Sequence, residues 1–168
     1  GMERLKPFVL DWLIKNCSPR SIYEKSDLPA RREEGLADVE GRLYGDPVET
    51  VEIQEEGLRF LVEIAQGQKT GFYLDLRPLR RLVRTLASGK RVLNCFCYTG
   101  AFSVAALAGG AVQVDSVDSS ERAISLAKKN VSLNGLALEP HGFIVGDVFE
   151  FLRRPELAYD FIILDPPA

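Results

Sequence analysis

Four short stretches hold residue types that could do chemistry together. The first is Val92-Leu93-Asn94-Cys95-Phe96-Cys97-Tyr98-Thr99-Gly100-Ala101-Phe102. An apolar run passes through a turn with one glycine into small residues. Gly100 lets a ligand approach the backbone closely. A helix starting there offers unpaired N–H groups and the positive end of its dipole. The second is Asp118, 18 residues after Gly100. Its carboxylate could accept from two ribose hydroxyls, or simply cap the next helix. The third is Asp147, in Val145-Gly146-Asp147-Val148. It could accept from an adenine amino group while the Val148 N–H donates to the ring, or again cap a helix. The fourth is Asp165-Pro166-Pro167. Two prolines fix the backbone and remove two donors, which would hold Asp165 and nearby carbonyls toward a reacting group. An ordinary proline-rich turn would also fit.

The ligand can be narrowed. The turn is neither the G-x-G-x-x-G of dinucleotide binders nor a G-x-x-x-x-G-K-[ST] phosphate loop. A pyrophosphate needs repeated glycines, which disfavours an NAD enzyme. S-adenosyl-L-methionine (SAM) has no phosphate. It offers a carboxylate and an amine to the turn, a ribose to an acid and an adenine to a groove. The cofactor-binding set on this reading is Asn94, Tyr98, Thr99, Gly100, Asp118, Ser119, Asp147, Val148 and Asp165. Asp165 and Pro166 would position the acceptor.

Those residues need a scaffold, and the pattern supplies one. From Arg77 the chain alternates helix and strand: helix 77–87, strand 91–96, helix 101–108, strand 112–117, helix 119–134, strand 143–145, helix 148–154, strand 160–164. Asp118 and Glu121 suit a capping box, and Asn134-Gly135 a stop. Such alternation means parallel strands with right-handed crossovers, hence an α/β Rossmann-like sheet, here of about four strands. Asp165 would follow the last strand, where strand order should reverse. A small α+β domain is expected over residues 2–75, before the sheet domain of 76–168. In it, 7–16 is helical, 21–25 is a strand and 26–47 reads as loops. Residues 50–55 and 58–65 alternate as a strand pair around a Glu56-Gly57 turn. The run Tyr159–Leu164 has the apolar character of a strand covered on both faces. Left at an edge it would be an aggregation hazard. The expectation is a fragment of a longer protein, or a second copy covering that strand in a homo-oligomer.

Composition bounds the class. The chain has 168 residues, is 46% apolar and 27% charged, and carries a net charge of −3. That suits a globular domain and argues against a generally basic nucleic-acid coat. No apolar run reaches membrane-spanning length, so no membrane association is expected. Cys17, Cys95 and Cys97 with the lone His141 offer no ligand-pair spacing other than Cys95-x-Cys97, so no metal site is expected. An odd, sparse cysteine count points to a reducing compartment, the cytoplasm. Gly1 before Met2 looks like a tag scar.

The order N-C-F-C-Y-T-G-A-F, D-S-V-D-S-S, G-D-V-F and L-D-P-P-A resembles class I SAM-dependent methyltransferases. More narrowly, it is similar to bacterial large-subunit rRNA cytosine-C5 methyltransferases. The segment Gly67-Gln68-Lys69-Thr70-Gly71-Phe72-Tyr73-Leu74-Asp75-Leu76-Arg77 resembles one that this family carries over its SAM site. The resemblance implies Lys69, Thr70, Phe72 and Leu74 as cofactor neighbours. It implies ribosomal RNA as substrate and a nucleophilic cysteine beyond the D-P-P motif. Family members often begin with a PUA-type RNA-binding domain, which is not seen here. Cys95 and Cys97 belong to the cofactor turn and read as small apolar residues.

Arg77, Arg80, Arg81 and Arg84 share one face of a helix, and Leu79, Leu82, Val83 and Leu86 another. Either the basic face meets RNA phosphates, or the helix packs its leucines on the sheet and solvates its arginines. Two other functions keep the same fold: an N-methyltransferase of another RNA base, protein or small molecule, and a non-catalytic SAM-binding module.

Overall fold

The computed structural model describes residues 2–27, 29–67, 70–154 and 158–166. The chain divides into two compact units, 1–51 with 62–72 and 52–61 with 73–168.

In the first unit, helix α1 (Met2–Cys17) begins a turn earlier than its apolar pattern suggests. Ion pairs hold that first turn: Lys6 to Glu3 at 2.7 Å and to Glu24 at 2.6 Å, and Arg31 to Glu3 at 2.6 Å. Strand β1 (Ser21–Ser26) is followed by the short α2 (Pro29–Glu33) and strand β2 (Val39–Gly45). β1 and β2 pair antiparallel, with a bulge at Ile22/Tyr23. The expected loop of 26–47 is therefore corrected: it contains a helix and a strand. β2 is almost wholly exposed, so backbone pairing holds it and no apolar alternation marks it. Lys25 Nζ donates to the Ala65 carbonyl at 3.1 Å and to that of Gly67, pinning the connection that follows the hairpin.

Strands β3 (Thr50–Glu55) and β4 (Leu58–Glu63) form a two-stranded sheet. Glu56 and Gly57 both have left-handed φ, 52° and 80°, as a type I′ hairpin turn requires. The tip of this hairpin belongs to the second unit, so the division between units is not a single cut in the sequence.

The second unit carries the sheet. Helix α3 (Arg77–Leu86) follows a 3-10 turn at Leu74–Leu76. Then come β5 (Arg91–Cys95), α4 (Ala101–Ala108), β6 (Gln113–Asp118), α5 (Glu121–Leu133), β7 (Gly142–Val145), α6 (Val148–Leu152) and β8 (Phe161–Leu164). All pairings are parallel, in the order β7-β6-β5-β8. The first strand of the series is thus flanked by the second and the last, and strand order reverses between β5 and β8. From Val92 to Cys95 every β5 residue is buried, as expected of a parallel strand covered on both faces. On one face Leu93, Cys95 and Val117 pack with Val148 and Phe151 of α6. On the other, Asn94 donates to Ser103 of α4, whose hydroxyl meets Ser116 of β6. β8 is at the sheet edge among the described residues, with Ile162 and Leu164 exposed.

Candidate functional site

The turn after β5 is built from strained backbone. Phe96 and Tyr98 have left-handed φ of 54° and 47°, and Gly100 has 75°. Left-handed non-glycine residues cost free energy and persist only where their surroundings fix them. Those surroundings are identifiable. The Cys97 N–H donates to the Val117 carbonyl at 3.0 Å, and Gly100 N–H closes onto the Cys97 carbonyl at 2.9 Å. Asp118 Oδ2 accepts from Tyr98 N–H at 2.8 Å and Oδ1 from Ser120 N–H at 2.9 Å. A Cβ on Gly100 would lie 2.6 Å from Ala127 Cβ, so glycine is required by both its φ and the approach of α5.

Gly100 caps α4 without a side-chain hydrogen bond. The first N–H groups of that helix are therefore left to water or a ligand. The expected capping box at Asp118 is corrected: the N-cap of α5 is Ser120, whose hydroxyl accepts from Ala123 N–H. Asp118 braces the turn instead. A carboxylate has about four acceptor positions, so bracing leaves room for ribose hydroxyls. Ser119, beside it, is exposed. Asp147 is the N-cap of α6, with Oδ1 accepting from Glu150 N–H at 2.8 Å. Val148, next to it, is buried. Asp165 and Pro166 follow β8 and are exposed.

β5, β6, β7 and β8 therefore deliver the Tyr98–Gly100 turn, Asp118, Asp147 and Asp165 at the carboxyl ends of neighbouring strands. Asn94 lies beneath the turn, almost fully buried, and its Oδ1 has no hydrogen-bond partner among the described residues. An orphaned buried acceptor costs about 1–3 kcal/mol. Together with the uncapped helix, it fits a site that is completed by a polar ligand.

Thr70 and Phe72 fall in the first unit; Thr70 Oγ1 donates to the Phe72 carbonyl, and Phe72 is buried. Leu74 is exposed in the 3-10 turn. Lys69 lies outside the described residues. Cys95 and Cys97 are buried, and burial pushes both thiols up, Cys97 well up with help from the Asp118 charge. They are protonated packing residues, not nucleophiles.

The reading in which α3 packs its leucines on the sheet and solvates its arginines needs correction: of that apolar face only Val83 is buried. Arg80 is buried, paired with Glu55 at 2.7 Å, and donates to the Tyr73 carbonyl at 3.0 Å. Arg77 reaches the same carboxylate at 3.2 Å, and Arg84 donates to the Glu56 carbonyl. Three of the four guanidiniums thus serve the hairpin, while Leu79, Leu82 and Leu86 are exposed. A hollow of about 480 Å³ opens beside them, lined by Glu56, Arg77, Pro78, Arg81, Leu82 and Thr85. It contains none of the four motifs.

Sequence reasoning missed Glu55 and Asn130 and read Asn134 only as a helix stop; all three support the turn from outside. The only local signal was the i, i+4 spacing of the two asparagines.

An open parallel sheet binds ligands beyond the carboxyl ends of its strands, where strand order reverses. This chain is of that Rossmann-like, nucleotide-cofactor class. Comparison narrows the class: residues 32–168 match the family described as S-adenosylmethionine-dependent methyltransferase, and the chain belongs to it. It is 48% identical over 159 residues to the ribosomal RNA large subunit methyltransferase I of Serratia proteamaculans, covering 92% of this chain and 40% of that protein. Among solved structures, it resembles a protein described as a SAM-dependent methyltransferase from Streptococcus mutans (TM-score 0.83, 35% identity, 98% of this chain and 43% of that one). A methyltransferase solved with S-adenosylhomocysteine (SAH) matches with the same score, identity and coverage. The chain thus spans about 40% of the length of the curated relatives it matches. No described helix is long and apolar enough to cross a membrane.

Proposed function

We propose that this protein transfers a methyl group from SAM to a base of large-subunit ribosomal RNA, with carbon 5 of a cytosine as acceptor. One observation carries the cofactor half: the strained turn leads into a helix with no side-chain cap, and the turn is braced by the acid at the end of the next strand. The ribosomal RNA half rests on the similarity to ribosomal RNA large subunit methyltransferase I, and the cytosine C5 acceptor on the resemblance of the sequence motifs alone.

When bound, SAM supplies an electrophilic methyl on a sulfonium and leaves as SAH. The first N–H groups of α4 hold its carboxylate, and Asp118 accepts from its ribose. Asp147 and the Val148 N–H take the adenine. Leu74 flanks it, as the family resemblance implies, and Asn94 and Ser119 complete the shell. Asp165 and Pro166 orient the acceptor base. Positioning of this kind can provide much of the rate of an in-line displacement. Attack from cytosine C5 would first need a thiolate to add to C6; with the methyl on C5, a general base or water would take the C5 proton as the C6–S bond breaks and the thiolate leaves. Cys95 and Cys97 are buried and protonated; the family resemblance implies a nucleophilic cysteine beyond the D-P-P motif. A base inside a duplex has to be flipped out to reach the site.

The test has two arms. Isothermal titration with SAH should show binding that weakens at least tenfold in Asp118→Ala, because a hydrogen bond to a carboxylate contributes about 1.5–3 kcal/mol. No binding by the folded wild-type protein would overturn the cofactor site. Incubation of unmodified large-subunit rRNA with labelled SAM and the protein extended through the segment that follows the D-P-P motif, followed by nucleoside mass analysis, should yield 5-methylcytidine. An N-methylated nucleoside would replace the acceptor and remove the need for a cysteine. No label in RNA, with SAH bound, would leave a SAM-binding module.

A further inference from the structure

Asn130 of α5 is completely buried. Its Nδ2 donates to the Thr99 carbonyl at 2.9 Å, and its Oδ1 accepts from Leu61 N–H at 2.7 Å. Burying an amide is costly unless its hydrogen bonds are met, and here one amide meets two segments that are far apart in sequence. One turn on, Asn134 Oδ1 accepts from Arg59 N–H at 2.8 Å. Its Nδ2 donates to the Arg59 carbonyl at 2.7 Å and the Asn130 carbonyl at 2.8 Å. Arg59 and Leu61 are alternate residues of β4, so both present backbone groups on one edge of that strand. The two asparagines pair that edge as a neighbouring strand would.

The contact at Thr99 matters for the turn. Its carbonyl belongs to the last peptide before the uncapped start of α4, so fixing that carbonyl fixes the peptide plane leading into the helix. A second link runs beside it. Arg80, paired with Glu55, holds the Tyr73 carbonyl, and the Tyr73 ring packs edge-on against Tyr98 with centroids 6.0 Å apart. Two consecutive turn residues, one of them left-handed, are thereby tied to the hairpin tip through buried groups.

We propose that Asn130 is a positioning residue of the cofactor turn, which couples closure of the β4 edge to cofactor affinity. This rests on the reading of Phe96–Gly100 as the SAM turn. Coupling between two sites is reciprocal. A ligand that orders the turn must therefore make opening of the Asn130–Leu61 bond harder.

The experiment is amide hydrogen exchange at Leu61 in the intact protein with and without SAH, beside SAH titration of the wild type and Asn130→Asp. The aspartate keeps an acceptor for Leu61 and puts an oxygen against the Thr99 carbonyl. In the wild type, saturating SAH should slow Leu61 exchange at least severalfold. In Asn130→Asp, SAH should bind at least tenfold more weakly, and the gain in Leu61 protection should vanish. A purely structural role would lower Tm and leave that gain in place. SAH binding to the wild type without a change at Leu61 overturns the proposal, as does equal affinity in the variant. If the variant does not fold, the wild-type exchange comparison decides alone. If the folded wild type does not bind SAH, the cofactor reading itself fails and takes this proposal with it.

Discussion

Replacing Gly100 by alanine tests the construction of the turn. Two costs are separable there. The φ of 75° places an L-residue in the left-handed region, which costs about 1–2 kcal/mol. The new Cβ would also sit 2.6 Å from Ala127 Cβ and 3.0 Å from Ala127 Cα. Ala127 is fully buried on α5, so relief requires the helix to shift, and overpacking of this kind costs about 1–3 kcal/mol. The sum is about 2–5 kcal/mol. At roughly 2–4 °C per kcal/mol for a chain of this size, Tm should fall by roughly 4–20 °C. Ala127→Gly alone should cost about 1 kcal/mol through helix propensity. In the double variant the Cβ–Cβ clash is gone while the φ strain and the closeness to the helix backbone remain. A double-mutant cycle by urea unfolding should therefore give a favourable coupling of about 1 kcal/mol or more. Additive costs would refute the clash. A Gly100→Ala variant within 0.5 kcal/mol of the wild type would refute the account of the whole turn.

Glu55 and Arg80 form a buried pair, and Glu55→Gln should destabilise by about 3–5 kcal/mol because Arg80 is left as an uncompensated buried charge; chemical denaturation measures it. Burial alone would raise the Glu55 carboxyl, but the hydrogen bonds and charges of Arg80 and Arg77 outweigh it and hold it below its ordinary 4.5. A depressed carboxylate adds stability that is full above that ordinary value and drains as pH falls through the folded one. Acid unfolding of Glu55→Gln should therefore be less steep below about pH 4.5. Tyr159 is pushed up, first by burial and then by its 2.7 Å hydrogen bond to Asp115. Its neutral form is favoured in the fold, so its contribution is full below the ordinary phenol value of about 10 and is lost as pH rises toward the folded one. Tyr159→Phe should cost about 1.5–3 kcal/mol at neutral pH, and unfolding at stepped pH should show the gap to the wild type narrowing above about pH 10.

The sheet and its motifs were legible because their signals are local. Gly100, Asp118, Asp147 and Asp165 each follow an apolar run and precede a helix or a proline pair, within a few residues of chain. The hairpin turn at Glu56-Gly57 was legible for the same reason. Strand β2 was not, since its exposed charged residues carry no alternation. The supports of the turn were illegible because they join distant segments. Leu61 and Asn130 are 69 residues apart, and Arg59 and Asn134 are 75 apart. A buried asparagine and an exposed one look alike in sequence.

Helix α3 shows where periodicity stops deciding. Its leucines and arginines fall on separate faces, and the pattern rightly says that the faces differ. It does not say which face is buried. The hairpin tip brings Glu55 against the arginine face, and a carboxylate removed from water demands a cation more strongly than three leucines demand cover. The misfit is electrostatic and local: burying Glu55 unpaired would cost several kcal/mol, whereas a partly exposed leucine forfeits only a share of about 1.5–3 kcal/mol. With Arg80, Arg77 and Arg84 all engaged on the hairpin, the leucines face outward. The same hairpin then reaches the turn after β5 through Arg80, Tyr73 and Tyr98 on one side and Asn130 and Thr99 on the other. The feature that draws the arginines of α3 inward is thus also the feature that braces the turn after β5.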